Sequence, residues 1–153
     1  MSGITAIPYN AYRSWLEVAK CAQSQLIIFS PFFDEMVQHL FEECPLEWGK
    51  MGLVTQEDWD DYSSQSLRKK SVMNHLIFRG VDVRSLSRLH AKAIIADWDR
   101  AVIGSQNFTY GSQDNYEVSF RLEREADGAD LEEVFECMYE WWELAGEESE
   151  SDD

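Results

Sequence analysis

The sequence predicts a single-domain α/β sandwich, a mixed sheet flanked by helices on both sides. Two observations predict it. Short apolar segments with strand character alternate along the chain with longer segments of helical periodicity. The segment at residues 26–30, LIIFS, is almost wholly apolar, which is typical of a strand buried on both faces. With 153 residues, 44% of them hydrophobic, the chain is long enough to bury a substantial core.

Four segments have the spacing of apolar residues expected of helices. Residues 9–23 and 33–43 are predicted as the first two helices. A third helix is predicted from about Gln56 to Arg79, where Gly80 ends it, with an irregular loop as the alternative for its beginning. The fourth begins at Asp130, and its apolar stripe indicates a face packed in the core or in a dimer contact.

Strands are predicted at residues 26–30, 51–55, 81–84 and 116–122, and two more strands are predicted to form a hairpin. If this hairpin closes around Trp98 and Asp99, Asp97 pairs with Arg100. Lys92 then lies opposite Ser105 and His90 lies opposite Asn107, and the alternation of side chains along each strand places these residues on the same face. The predicted hairpin therefore brings these four polar residues to one face of the sheet.

The polar residues of this hairpin have the pattern His90-x-Lys92, Asp97, then Gly104-Ser105-x-Asn107. A cation, an amide and a hydroxyl around an imidazole suit a phosphodiester, whose non-bridging oxygens gain charge in the transition state. A neutral imidazole is a competent nucleophile near pH 7, so His90 can attack phosphorus and carry the covalent intermediate. The pattern favours phosphoryl transfer.

HxK(x)4D(x)6GSxN resembles the HKD signature of the phospholipase D superfamily, and Phe108-Thr109 and Asn115-x-Glu117 resemble the continuation in its single-domain bacterial nucleases. The resemblance implies a phospholipase D-like α/β/α sandwich. It also implies a role for each matching residue: His90 is the nucleophile, Lys92 and Asn107 bind phosphate, Glu117 orients the histidine, Ser105 contacts the phosphate or its network, and Asp97 and Gly104 give structural support.

Members of this superfamily carry two copies of the motif, and the second histidine acts as general acid and base. This sequence contains one HxK pattern and no internal repeat. The resemblance therefore implies a symmetric homodimer with one active site shared between two chains.

The charge of the chain is unevenly distributed. The net charge is -16, but residues 123–153 contribute -13 of it, with fourteen acidic residues and one basic residue. Residues 68–100 instead carry eight basic and three acidic residues, a local +5 that contains the start of the motif. This segment suits an anionic substrate, although a solvated helix face is the ordinary explanation for Arg68-Lys69-Lys70.

Composition also bears on the setting of the protein. No apolar run approaches membrane-spanning length and no secretory signal pattern is present, so a cytoplasmic protein without membrane contact is expected. Three cysteines without metal-ligand spacing fit reduced thiols. Residues 1–145 are predicted as the catalytic domain and residues 146–153 as a disordered acidic tail.

The sequence thus predicts a metal-independent phosphodiesterase that requires no cofactor and acts on nucleic acid, as an endonuclease, through a phosphohistidine at His90. Two enzymatic alternatives remain, hydrolysis of small or cyclic nucleotides and hydrolysis of phospholipid. From a different class, a catalytically inactive acidic module that binds partners or mimics nucleic acid explains the charge but leaves the motif without a purpose.

Overall fold

Seven strands and four helices alternate through residues 3–56, 62–124 and 128–151, the residues that the computed structural model describes. The strands are β1 (Ile4–Ile7), β2 (Leu26–Phe29), β3 (Met51–Thr55), β4 (Asp82–Ser85), β5 (Ala93–Ala96), β6 (Arg100–Gly104) and β7 (Ser119–Glu123). The helices are α1 (Tyr12–Cys21), α2 (Glu35–Glu43), α3 (Ser64–Arg79) and α4 (Gly128–Ser151), and 3-10 turns lie at Trp48–Lys50 and Gly111–Asp114.

All seven strands form one mixed sheet in the order β1-β7-β6-β5-β2-β3-β4. Strands β2, β3 and β4 run parallel to one another, whereas β5 is antiparallel to β2 and the remaining neighbours are antiparallel. The predicted single-domain α/β fold with a mixed sheet is confirmed. Strand β2 lies near the centre of the sheet and all four of its residues are buried, as its apolar sequence predicts.

The core has two parts, one on each face of the sheet. Helices α1, α2 and α3 cover one face, where Trp15, Phe41 and Leu76 are buried against the sheet. Helix α4 covers the other face with a stripe that includes Phe135, Met138 and Trp142. Burial of these large side chains on both faces stabilises the three-layer arrangement and fixes the positions of the strand ends.

Helix termini in the first half of the chain are set by local hydrogen bonds. Asp34 caps α2 by accepting from the backbone amide of Met36 at 2.9 Å. Ser63 caps α3 in the same way, and Gly80 ends that helix with a φ of 104°, a conformation that favours glycine. The predicted third helix therefore begins later than Gln56. Residues 57–61 lie outside the described residues.

The register of the motif hairpin differs from the prediction by one residue. Ala96 pairs with Arg100, so the turn contains three residues, Asp97, Trp98 and Asp99, and not two. Asp97 and Trp98 adopt φ values of 57° and 55°, which tertiary hydrogen bonds to residues 23–25 stabilise. As a consequence Lys92 lies opposite Gly104, whose amide donates to the Lys92 carbonyl at 3.1 Å.

Two further predictions require correction at the chain ends. The expected disordered tail is wrong for residues 146–151, because α4 continues to Ser151. Strand β1 was missed because most of its residues are exposed at the edge of the sheet, where no apolar alternation marks it. Among the described residues, no helix combines the length and apolarity needed to cross a membrane.

Candidate active site

Apart from Asp97, the motif residues lie along one edge of the sheet because of strand direction. Strands β2, β3 and β4 end at this edge, antiparallel β5 begins there, β6 ends there and β7 begins there. We call this the motif edge. It is formed by the segments 30–34, 86–92, 105–110 and 117–118, which follow or precede those strand ends. The topology therefore gathers residues that are distant in sequence.

His90 and Lys92 lie just before β5 and outside the regular strand. The side chain of His90 is exposed, and Lys92 is partly exposed with its Nζ 3.5 Å from the His90 carbonyl. Among the described residues, Lys92 forms no ion pair with a carboxylate. The imidazole and the ammonium group are thus available to an anionic ligand.

Ser105 and Glu117 contact each other directly at the other side of the motif edge. The Ser105 hydroxyl donates to the Glu117 carboxylate, and Ser105 also exchanges hydrogen bonds with the backbone of Val118. Asn115 donates to the second Glu117 oxygen at 3.4 Å. Within the described part of the chain, no hydrogen bond joins Glu117 to the His90 ring, so the orienting role expected for Glu117 remains a prediction.

Gly104 is required by a close approach of two strands. A Cβ atom at this position would lie 2.5 Å from the Val118 carbonyl and would overlap Ser119. Only glycine lets β6 come this close to the start of β7. This packing holds Ser105 next to Glu117, which gives Gly104 a structural function in the motif.

Asn107 lies within a tightly held loop. Its neighbour Phe108 is fully buried and stacks on Trp15, with 4.2 Å between the ring centroids. The amide of Asp34 donates to the Phe108 carbonyl at 3.3 Å. The Asn107 Oδ1 atom is buried and has no hydrogen-bond partner among the described residues. Such atoms are rare, and they are found where a ligand or a water completes the network.

Asp97 occupies the turn at the opposite end of the hairpin, far along the strands from His90. Its carboxylate accepts hydrogen bonds from the backbone amides of Gln23, Ser24 and Gln25, between 2.7 and 3.2 Å. Burial raises the pKa of this carboxyl, but the amide donors outweigh it and the net pKa is lowered. The residue fastens the hairpin to the turn that precedes β2.

Sequence comparison decides the family. A family model described as the cardiolipin synthase, PLD-like domain matches residues 16–139, which contain all the motif residues. The chain belongs to the phospholipase D superfamily. Membership places it among enzymes of phosphodiester chemistry. No curated protein sequence gave a significant match.

Solved structures share the phospholipase D-like fold at low sequence identity. Nuc from Salmonella typhimurium, a phospholipase D family member, superposes with a TM-score of 0.68 and 19% identity over 94% of this chain and 92% of its own. NucT from Helicobacter pylori gives 0.66 and 14%, over 94% of each chain. Phosphatidylserine synthase from Haemophilus influenzae gives 0.63 and 12%, over 88% of this chain and 38% of its own.

Three residues that support the site of this phospholipase D-like chain were missed by sequence reasoning. Gln106, at the variable position of GSxN, is buried and hydrogen-bonds Ala11 and Ser112. The Asp34 carboxylate accepts from the amide of Tyr110 at 3.0 Å. Lys69 is buried and donates to the carbonyl of Pro31 at 2.7 Å. Of these three residues, Asp34 could be recognised from the local sequence, because it directly precedes a predicted helix. The contacts of Gln106 and Lys69 join residues that are distant in sequence, so local sequence does not reveal them.

Several cations of the basic segment, residues 68–100, already bind other groups of the chain. Arg68 forms an ion pair with Glu35 at 2.6 Å, which lowers the pKa of Glu35, and Arg84 pairs with Asp82 at 3.0 Å. Lys69 is buried, so the interpretation of residues 68–70 as a solvated face is wrong at its centre. At the motif edge Arg88 is exposed and Lys92 is partly exposed. Among the described residues, no cluster of three or more potential metal ligands occurs.

Proposed function

We propose that this protein is a metal-independent phosphodiesterase that hydrolyses nucleic acid as an endonuclease. The observation behind this proposal is that the exposed imidazole of His90, the Lys92 ammonium group, which has no ion pair among the described residues, and the Asn107 amide lie along the same edge of the sheet. Lys92 and Asn107 supply a positive charge and a hydrogen-bond donor for the phosphate oxygens. The HKD pattern supports this assignment, because each group occupies the matching position of the motif.

The reaction proceeds in two displacements. A nitrogen of His90 attacks phosphorus and the bond to the leaving oxygen breaks, while the partner subunit's His90 donates a proton to that oxygen. A water molecule then attacks the phosphohistidine, passes its proton to the partner's His90, and the P–N bond breaks. The shared site follows from the single copy of the motif in this chain. Glu117, held by Ser105, orients the histidine.

Trapping of the covalent intermediate tests this mechanism. Wild-type protein quenched in acid-free conditions after a single turnover with labelled substrate is expected to carry the label, and His90→Ala is expected to carry none. His75→Ala, which removes a histidine of α3, serves as the matched control and should retain the label. Hydrolysis should persist in chelator. Labelling that survives in His90→Ala, or activity that requires an added divalent ion, would contradict the mechanism.

A second candidate is hydrolysis of small or cyclic nucleotides by the same chemistry. One observation favours it: the acidic end of α4 reaches the motif edge, where Glu148 accepts from the amide of Ser87 at 2.9 Å. Negative charge beside the site opposes the approach of a long polyanion but has less effect on a single phosphodiester. Rates on plasmid, oligonucleotide and cyclic dinucleotide, compared across salt concentrations, separate the two candidates.

A further inference from the structure

A pocket lined by both polar and apolar groups lies beside the motif loop at the beginnings of α2 and α3. Its volume is about 400 Å³, within the usual range of about 300–1,000 Å³ for ligand sites. The lining residues include Phe33, Asp34, Ser64, Gln65, Arg68 and Thr109. Both helices follow strands that end at the motif edge, so the pocket opens on the same side of the sheet as the motif.

The pocket and the phosphate-binding loop share one segment of chain. The amide of Thr109 donates to the carbonyl of Asn107 at 2.8 Å, so a tight turn joins the pocket wall to the motif. Two residues span at most about 7 Å of chain. A hydrogen bond from the amide of Tyr110 to the Asp34 carboxylate also ties this loop to the beginning of α2. A nucleotide whose phosphate lies at Asn107 therefore has its remaining parts within reach of the pocket.

The charges of the lining decide what the pocket accepts. The guanidinium of Arg68 already donates to Glu35 through Nε at 2.7 Å and Nη2 at 2.6 Å, so its charge is compensated. The Asp34 carboxylate adds negative charge, which opposes a second phosphate. The hydroxyl, amide and carboxylate groups of the lining also disfavour binding of an acyl chain, because an acyl chain would remove water from them without offering hydrogen-bond partners. A neutral group with several donors and acceptors fits best.

We propose that this pocket binds an unpaired nucleobase of the substrate, next to the phosphate held by the motif. A base presents donors and acceptors on its edge, and Gln65, Ser64 and Thr109 offer both kinds of partner. A base that is paired within a duplex cannot enter a pocket of this kind. This inference rests on the proposed function and narrows its substrate to single-stranded nucleic acid or to nucleotides with a free base.

The test measures binding without turnover in the His90→Ala background. The probes are short labelled single strands of deoxyadenosine, deoxycytidine or thymidine, and a matched strand with abasic tetrahydrofuran sugars. Ser64→Trp fills the pocket, and Ser71→Trp places the same side chain at an exposed position of the same helix. Ser64→Trp is expected to weaken binding of at least one base-bearing strand by about tenfold or more, and binding of the abasic strand by less than about twofold.

Two outcomes overturn the proposal. One is an equal effect of Ser64→Trp on base-bearing and abasic strands, and the other is equal binding by the Ser64→Trp and Ser71→Trp proteins. Gln65→Ala, a milder change, should weaken binding of the same base-bearing strand. Circular dichroism checks that each variant folds. Hydrolysis of bis(p-nitrophenyl) phosphate by the wild-type protein, in which His90 is intact, tests the proposed function separately, because this substrate has no nucleobase. If Ser64→Trp weakens binding of the base-bearing strand more than that of the abasic strand, but the wild-type protein does not hydrolyse this substrate, the nucleobase pocket is supported and the proposed nuclease activity is rejected.

Discussion

At the scale of single residues, Asp97 shows how one motif side chain supports the fold without contacting substrate. Three consecutive backbone amides and the Ser24 hydroxyl donate to its carboxylate. Backbone amides that converge on a carboxylate stabilise its charged form, which is why the pKa of Asp97 is lowered despite partial burial. The positive φ of this residue is held by the same contacts.

Replacement of Asp97 by Asn is predicted to destabilise the protein in a pH-dependent manner. A carboxyl whose pKa is lowered by folding stabilises the native state above its ordinary pKa of about 3.9 and loses that contribution as pH falls through the folded pKa. Asp97→Asn should lower the free energy of unfolding by about 2 kcal/mol at pH 7. The difference from wild type should shrink below about pH 4. Urea unfolding at both pH values measures it.

Asp114→Asn, at an exposed position of a 3-10 turn, is the matched control and should change stability by less than about 0.5 kcal/mol. A constant difference between wild type and Asp97→Asn from neutral to acid pH would contradict the charge-based explanation. The spacing of Asp97 in the motif was visible in the sequence. Its partners were not, because they lie 72 to 74 residues away and contribute backbone atoms, which residue types do not reveal.

At the scale of elements, Gln106 joins three parts of the chain behind the motif. Its Oε1 accepts from the amide of Ala11 at 2.9 Å, next to the beginning of α1. Its Nε2 donates to Asn10 at 3.0 Å and to Ser112 at 3.2 Å. Ala11, the N-cap residue of α1, has no capping side chain; Asn10 accepts from the amide of Tyr12, and Gln106 satisfies the amide of Ala11 from a distance.

Gln106→Ala is predicted to lower the free energy of unfolding by about 2 to 3 kcal/mol, because the buried amide of Ala11 loses its side-chain acceptor and the side chains of Asn10 and Ser112 each lose one hydrogen bond. Thermal and urea unfolding measure this loss. Gln38→Ala, which removes one exposed contact to Glu42, should cost less than about 0.5 kcal/mol. Equal stability of the two variants would show that the Gln106 network does not support the fold.

The C-terminal end of α4 holds the segment that leads to His90. Ser149 accepts from the amide of Ser85 at 2.9 Å, and Glu148 accepts from the amide of Ser87 at 2.9 Å. Removal of residues 146–153 is predicted to cost about 1 to 2 kcal/mol and to speed hydrogen exchange at Ser85 and Ser87. Unchanged exchange at these amides would contradict the contacts. Exchange in the remote β1 provides the internal control.

The prediction of helices and strands succeeded where the local pattern of apolar residues determines the element. It failed where tertiary contacts determine the turn and the strand register. The apolar run at residues 26–30 and the stripe of α4 identified a buried strand and a packed helix. The register of the hairpin was wrong by one residue, because the turn at Asp97 and Trp98 is stabilised by residues 23–25 and not by its own sequence. His90, Lys92, Ser105 and Asn107 still lie along the motif edge, since that edge depends on strand direction more than on register, and their roles stay predictions.

At the scale of the whole molecule, the acidic charge and the motif groups lie on different elements, which approach each other at the C-terminal end of α4. The acidic residues concentrate in α4, which covers one face of the sheet, whereas the motif lies at an edge shared by both layers. The exposed imidazole of His90 has no second histidine of the same motif within its chain. Two-step transfer through a phosphohistidine needs a proton donor for the leaving oxygen. A second copy of the chain supplies that donor in the proposed mechanism.

Mixing wild-type and His90→Ala chains tests this requirement. If each site needs His90 from two chains, only dimers with two wild-type chains are active, and their share falls as the square of the wild-type fraction. At equal proportions, co-folded mixtures should retain about a quarter of the activity of the all-wild-type protein, against about a half if each chain acts alone. Mixtures with His75→Ala chains should retain full activity, because that histidine lies on α3. A linear dependence on wild-type fraction, or an active species that elutes as a monomer, would place the whole reaction within one chain and require another residue as the acid.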